Sequence, residues 1–138
     1  MKRITVTALF TLAALVTTGG VMAQGRAVRA TVPFDFTVGD KLLPAGNYEI
    51  SKISSSTIEV QNRDKHVAIF AAAAYDTHES RNGSKLVFAK YGDQYFLSEI
   101  LCQPAAINVN LPTSKTEQRT RRQRAFMNTE SQVFVAAR

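Results

Sequence analysis

The sequence predicts an all-β, mainly antiparallel domain, a sandwich or small barrel of about six to eight strands with one basic helix near its C-terminal end. Three observations predict it. Apolar residues recur at every second position through most of the chain. Turn-forming clusters such as Gly39-Asp40, Pro44-Ala45-Gly46 and Gly92-Asp93 punctuate these runs at short intervals. Near the end, an arginine-rich polar stretch opens with a helix-capping pattern.

The first segment is read as a secretory signal peptide over residues 1–23. Met1-Lys2-Arg3 is a basic start, Ile4 to Val16 an apolar run, and Val21 and Ala23 are the small residues a cleavage site needs. The run is shorter than the ~20 residues of a spanning helix. Gln24 follows the cut, so no cysteine stands there for lipid modification. The expected mature chain begins at Gln24 and is periplasmic or extracellular.

Strand patterns follow. Phe34, Phe36 and Val38 share one face, and Gly39-Asp40 turns the chain. After Leu43-Pro44-Ala45-Gly46, where Pro presets φ and Gly closes the turn, Tyr48 and Ile50 alternate with Asn47, Glu49 and Ser51. Ile58 and Val60 alternate similarly, and Asn62-Arg63-Asp64 turns again. Val67, Ile69, Ala71, Ala73 and Tyr75 lie on one face of the next run. The clearest hairpin joins Lys85–Tyr91 to Gln94–Ile100 across Gly92-Asp93. A two-residue turn pairs Tyr91 with Gln94, Ala89 with Phe96, Phe88 with Leu97 and Leu86 with Glu99. Both faces are then apolar, so this hairpin is expected to be covered on each side.

The β domain is drawn over residues 24–112 and a basic tail over 113–138. Ser114 with Glu117 is a capping box, which starts a helix at Lys115 running toward Met127. Lys115 to Arg124 contains no apolar side chain, and a helix without an apolar stripe is expected to be solvated and loosely attached. Val133-Phe134-Val135 has the pattern of a final strand, with nothing in the sequence to say where it docks.

Charge is distributed unevenly. The chain carries 17 basic and 11 acidic residues. The six bases and two acids of residues 113–138 supply the whole excess of the expected mature chain, since residues 24–112 balance nine against nine. The high isoelectric point therefore describes a tail, and gives no ground for specific nucleic-acid binding. Arg119, Arg121, Arg122 and Arg124 are the candidate contacts to an anionic envelope polymer or lipid surface.

These stretches resemble a large family of small exported proteins abundant in acidobacteria. The resemblance rests on Val32 to Lys41 (VPFDFTVGDK), Leu43 to Tyr48, Lys85 to Phe88 and Tyr91 to Ile100, and more weakly on Leu111 to Lys115 with Glu117. It implies an exported β domain and no activity, and the arginine-rich stretch and Cys102 depart from it.

No residues commit the chain to a reaction. No Gly-x-Ser-x-Gly elbow, Cys-x-x-Cys pair or glycine-rich phosphate loop occurs. Of the two histidines, His66 reads as a surface residue, and His78, within Asp76-Thr77-His78-Glu79, belongs to a polar loop rather than a metal site. Asp40 and Asp93 read as turn residues rather than a shared ion site. No catalytic, cofactor-binding or metal-binding residue and no cofactor is expected. Two residues stand apart: Glu99, which the hairpin register puts beside Phe88 and Leu97, and Cys102, the single cysteine, expected to be a buried or half-buried thiol, with an exposed reactive thiol or pairing between chains as the alternatives. The leading expectation is an exported non-enzymatic module with a binding or structural role. The alternatives are a small envelope hydrolase with a dispersed site and a carrier of a small apolar ligand.

Overall fold

A computed structural model describes residues 26–76, 83–125 and 130–138. The expected signal peptide, the His78 loop and the end of the helix around Met127 lie outside the described residues. The strands are β1 (Ala27–Val32), β2 (Phe36–Val38), β3 (Lys41–Leu43), β4 (Gly46–Lys52), β5 (Thr57–Asn62), β6 (Val67–Ala72), β7 (Ala74–Tyr75), β8 (Lys85–Tyr91), β9 (Gln94–Cys102), β10 (Ile107–Asn110) and β11 (Glu130–Ala136). One helix, α1, spans Lys115–Arg124. The all-β expectation holds. With β6 and β7 taken as one bent strand and the short β2–β3 hairpin set aside, eight main strands remain, within the expected range.

The strands form two ladders, one in the order β1-β4-β5-β6 and one in the order β11-β8-β9-β10-β7. They join at two places. The chain leaves β6 and enters β7 across the single residue Ala73, so one strand serves both ladders. At the other junction Arg29 and Arg138 exchange backbone hydrogen bonds of 2.8 Å each way, with Ala30 bridged to Ala137. The whole sheet is therefore strongly curled and half-encloses a core. Pairing is antiparallel except where β2 meets β9 in parallel at Thr37 and Phe96.

Alternation explains the core. Val28, Val32, Tyr48, Ile50, Ile58 and Val60 project inward from one ladder, and Leu86, Phe88, Leu97, Ile100, Cys102, Ile107 and Val109 from the other. Aromatic rings fill the middle edge to face: Phe36 against Phe88 at 5.3 Å, Phe34 against Phe88 at 5.1 Å and Phe36 against Tyr48 at 5.0 Å. Cys102 is fully buried in this core.

The central hairpin follows the expected register from the turn to Phe88 and Leu97, then departs from it. A bulge sets Val87 opposite Glu99 and Leu86 opposite Ile100, with Ser98 as the extra residue. The Ser98 hydroxyl donates to the Val87 carbonyl at 3.0 Å, and its own carbonyl accepts from Leu111 at 2.8 Å. Alternation is thereby reset, so Glu99 leaves the face of Phe88 and Leu97, and Ile100 replaces it in the core. Glu99 is half-buried, beside Val87 and opposite Asn110.

The boundary at Pro112 also needs correction. β11 pairs with β8 from Glu130 to Ala136, and its end meets β1. The segment beyond residue 113 thus supplies a strand between β8 and β1, so the sheet does not end at the expected domain boundary. Val133 and Val135 pack against the core, and register with Phe88 and Leu86 puts them there. Among the described residues no helix is long and apolar enough to cross a membrane.

Candidate functional site

The helix begins where the sequence places it. The Ser114 hydroxyl accepts from the Glu117 amide at 3.1 Å, capping α1. A second anchor comes from the turn between β2 and β3. The Asp40 carboxylate accepts from both the Thr116 amide (3.2 Å) and its hydroxyl (2.8 Å). Those bonds, the hydroxyl first, hold the Asp40 carboxyl below its ordinary value. Asp40 thus serves the helix start rather than an ion site, while Asp93 stays exposed in its turn. His66 is exposed in the turn before β6.

The loose attachment expected of α1 is not what the structure shows. The helix docks through polar side chains on the outer face of β8 and β9, where Val87, Tyr91 and Phe96 are buried. Glu117 and Thr120 are buried against it. The Tyr91 hydroxyl donates to Glu117 Oε1 at 3.3 Å, and the Thr120 hydroxyl donates to Gln94 Oε1 at 3.0 Å. Desolvation raises the Glu117 carboxyl and, with the nearby Glu117 charge, pushes the Tyr91 phenol up to about 12. Arg124 completes this face, its guanidinium lying against Gly92. Residues 117, 120 and 124 are spaced i, i+3 and i+7, one side of a helix. An inward polar stripe replaces the apolar one, which is why hydropathy alone misses the docking.

Docking that side fixes what faces outward. Lys115, Arg119 and Arg122, at i, i+4 and i+7, form the opposite stripe, and all three are exposed. The four arginines singled out from sequence therefore divide. Arg119 and Arg122 stand in the outward stripe, Arg121 approaches Glu130 at 3.9 Å, and Arg124 folds back on the hairpin turn. Lys115 belongs to the stripe and was missed, though its spacing from Arg119 and Arg122 could have found it. The helix itself puts no acid in the stripe, since Glu117 and Glu130 lie elsewhere, and Asp40 at the helix start is the carboxylate near Lys115. A fixed row of cations about 10 Å long, at 1.5 Å rise per residue, can attract phosphate or carboxylate groups spread over a surface.

Among the described residues no three His, Cys, Asp or Glu side chains gather to hold a metal ion. The fold and this surface define a class no narrower than a curled, mostly antiparallel β module with one docked basic helix. Comparison with known proteins narrows it no further: the chain matches no family model, no curated protein and no solved structure.

Proposed function

We propose that the chain is an exported, non-enzymatic β module that acts in the cell envelope or outside the cell by binding an anionic surface through α1. The observation that carries this reading is the outward stripe of Lys115, Arg119 and Arg122 on a helix whose other side is pinned by Asp40, Tyr91 and Gln94. Cations held by a rigid element lose less freedom on binding than those on a free tail. Export is supported by the signal-peptide pattern of residues 1–23 and by the family resemblance.

Two measurements test the two halves. The intact mass of the exported protein is expected to correspond to a chain beginning at Gln24, and a mass that retains Met1 to Ala23 overturns export. Sedimentation with phosphatidylglycerol vesicles at low salt is expected to capture the protein. The triple variant Lys115→Gln, Arg119→Gln, Arg122→Gln is expected to stay in solution, as both proteins do with phosphatidylcholine or at high salt. Equal capture of the triple variant overturns the helix as the binding surface.

A further inference from the structure

We propose a second binding site, for an acidic polysaccharide carrying carboxylate groups, in the groove on the outer face of β1, β4 and β5. The groove is open to solvent, measures about 1430 Å³ and shares no residue with the α1 stripe. Four guanidiniums line it, from Arg26, Arg29, Arg63 and Arg138, against two acidic side chains, Glu49 and Asp64. Three of the four come from residues 24–112, whose charges balance in sum, and the fold brings Arg138 to them from the far end of the chain.

The register explains how it arises. Arg29 on β1 lies directly opposite Glu49 on β4, which lies opposite Gln61 on β5. On the other side Arg29 faces Arg138, the two residues exchanging both backbone hydrogen bonds. Directly opposed residues of such a pair project to the same face about 5.5 Å apart, and like charges so placed repel. Only one acidic side chain stands in this row, and it is already divided. Glu49 takes Arg29 Nε at 3.4 Å on one oxygen and Arg63 Nη2 at 3.2 Å on the other. Each arginine thus meets it through one nitrogen, so neither planar fork is engaged in a two-nitrogen pair with it. Among the described residues neither Arg26 nor Arg138 forms an ion pair. Basic side chains outnumber acidic ones in the lining, and Glu49 shows what they accept: a carboxylate between guanidiniums.

Two further features favour a polysaccharide over a peptide. β4 and β5 are paired on both sides, and the far side of β1 is met by residues 137–138 at Arg29 and Ala30, which leaves little strand edge for an extended peptide to join. The floor between the charges offers hydroxyls and amides instead, from Thr31, Asn47, Ser51 and Gln61. Such groups match the hydroxyls of sugar rings, and the guanidiniums match uronate carboxylates. The volume exceeds the roughly 300–1,000 Å³ of small-molecule pockets, as an extended ligand requires.

The test titrates the full mature chain by calorimetry with an oligogalacturonate and with its methyl ester, which keeps the sugar and removes the charge. Binding of the free acid, weakened at least tenfold in Arg29→Gln and Arg63→Gln and absent for the ester, is the expected result. The Lys115→Gln, Arg119→Gln, Arg122→Gln variant is expected to bind as the parent does, which separates this site from the helix stripe. Arg138→Gln provides a readout independent of ligand: removing one of two opposed cations is expected to leave the melting temperature unchanged or raise it at low salt. No binding of the free acid, equal binding of the ester, loss only in the helix variant, or stronger binding of oligoglutamate each overturns the proposal.

Discussion

Tyr91 on β8 donates its phenol to the carboxylate of Glu117 on α1, 3.3 Å away, and this contact makes the helix part of the sheet. Burial raises the Glu117 carboxyl above 4.5, and the neighbouring Glu130 adds to the rise, against the opposing pull of Tyr91, the helix-start amide and Arg121. The native state therefore retains a proton that the unfolded chain has released. Stability from this group is full below the unfolded value and is lost as pH rises through the higher native one. Glu117→Gln removes the buried charge while its amide oxygen still accepts from Tyr91. Denaturant melts at about pH 4 and about pH 7 are expected to show a flatter pH dependence than the parent, with the variant equal or more stable at the higher pH. A variant markedly less stable than the parent at about pH 7 would assign the contact a net stabilising role in its ionised form.

Phe88 lies at the centre of the aromatic cluster, fully buried, with Phe34 and Phe36 edge-on to it and Leu97 opposite in register. Phe88→Ala leaves a cavity that two rigid ladders can only partly close. The expected loss is about 3–5 kcal/mol, a large share of the roughly 5–15 kcal/mol that holds a domain together. A loss under about 1 kcal/mol in denaturant melts contradicts the packing.

Ending the chain at Pro112 removes α1 and the seven-residue strand β11. That exposes the side of β8 from Lys85 to Tyr91 and uncovers Val87, Tyr91 and Phe96. The truncated protein is expected to lose cooperative thermal unfolding and to bind hydrophobic dyes. A sharp melt near that of the full chain would show that the remaining strands suffice.

Gly46 opens β4 where the chain passes close to Asn62. A Cβ at this position would stand 2.7 Å from the Asn62 Nδ2. Asn62 is buried and its carbonyl oxygen accepts from the Lys65 amide at 3.1 Å, so it has little room to retreat. Gly46→Ala is expected to cost about 1–3 kcal/mol, and Asn62→Ala in the same chain is expected to restore part of the loss. Additive losses in the double variant would show that the clash is not the cause.

Much of the sheet was legible because alternation and turn chemistry are local signals. Tyr91 with Gln94, Ala89 with Phe96 and Phe88 with Leu97 follow from a two-residue turn at Gly92-Asp93, and the helix start follows from Ser114 and Glu117. The register beyond Phe88 was not legible. The bulge is a one-residue slip whose partners, Val87 and Leu111, come from other parts of the chain. The docking of α1 was hidden because its inward side chains are polar and acquire burial only from Tyr91 and Gln94. The place of β11 was hidden because strand partners far apart in sequence leave no mark on either strand. The groove was the least legible of all. Arg29, Glu49, Arg63 and Arg138 are scattered singly through the chain, and only the curl of the sheet assembles them.

The enclosure of Cys102 has a consequence for how the protein can be observed. Its thiol is fully buried, on β9 opposite Ile107, so a thiol reagent reaches it only when β9 and β10 part. Being the single cysteine, it forms no link within the chain, and its enclosure keeps it from oxidising neighbours while the fold is intact. The rate at which it reacts therefore counts the excursions of this sheet into open states, a clock already present in the unmodified sequence.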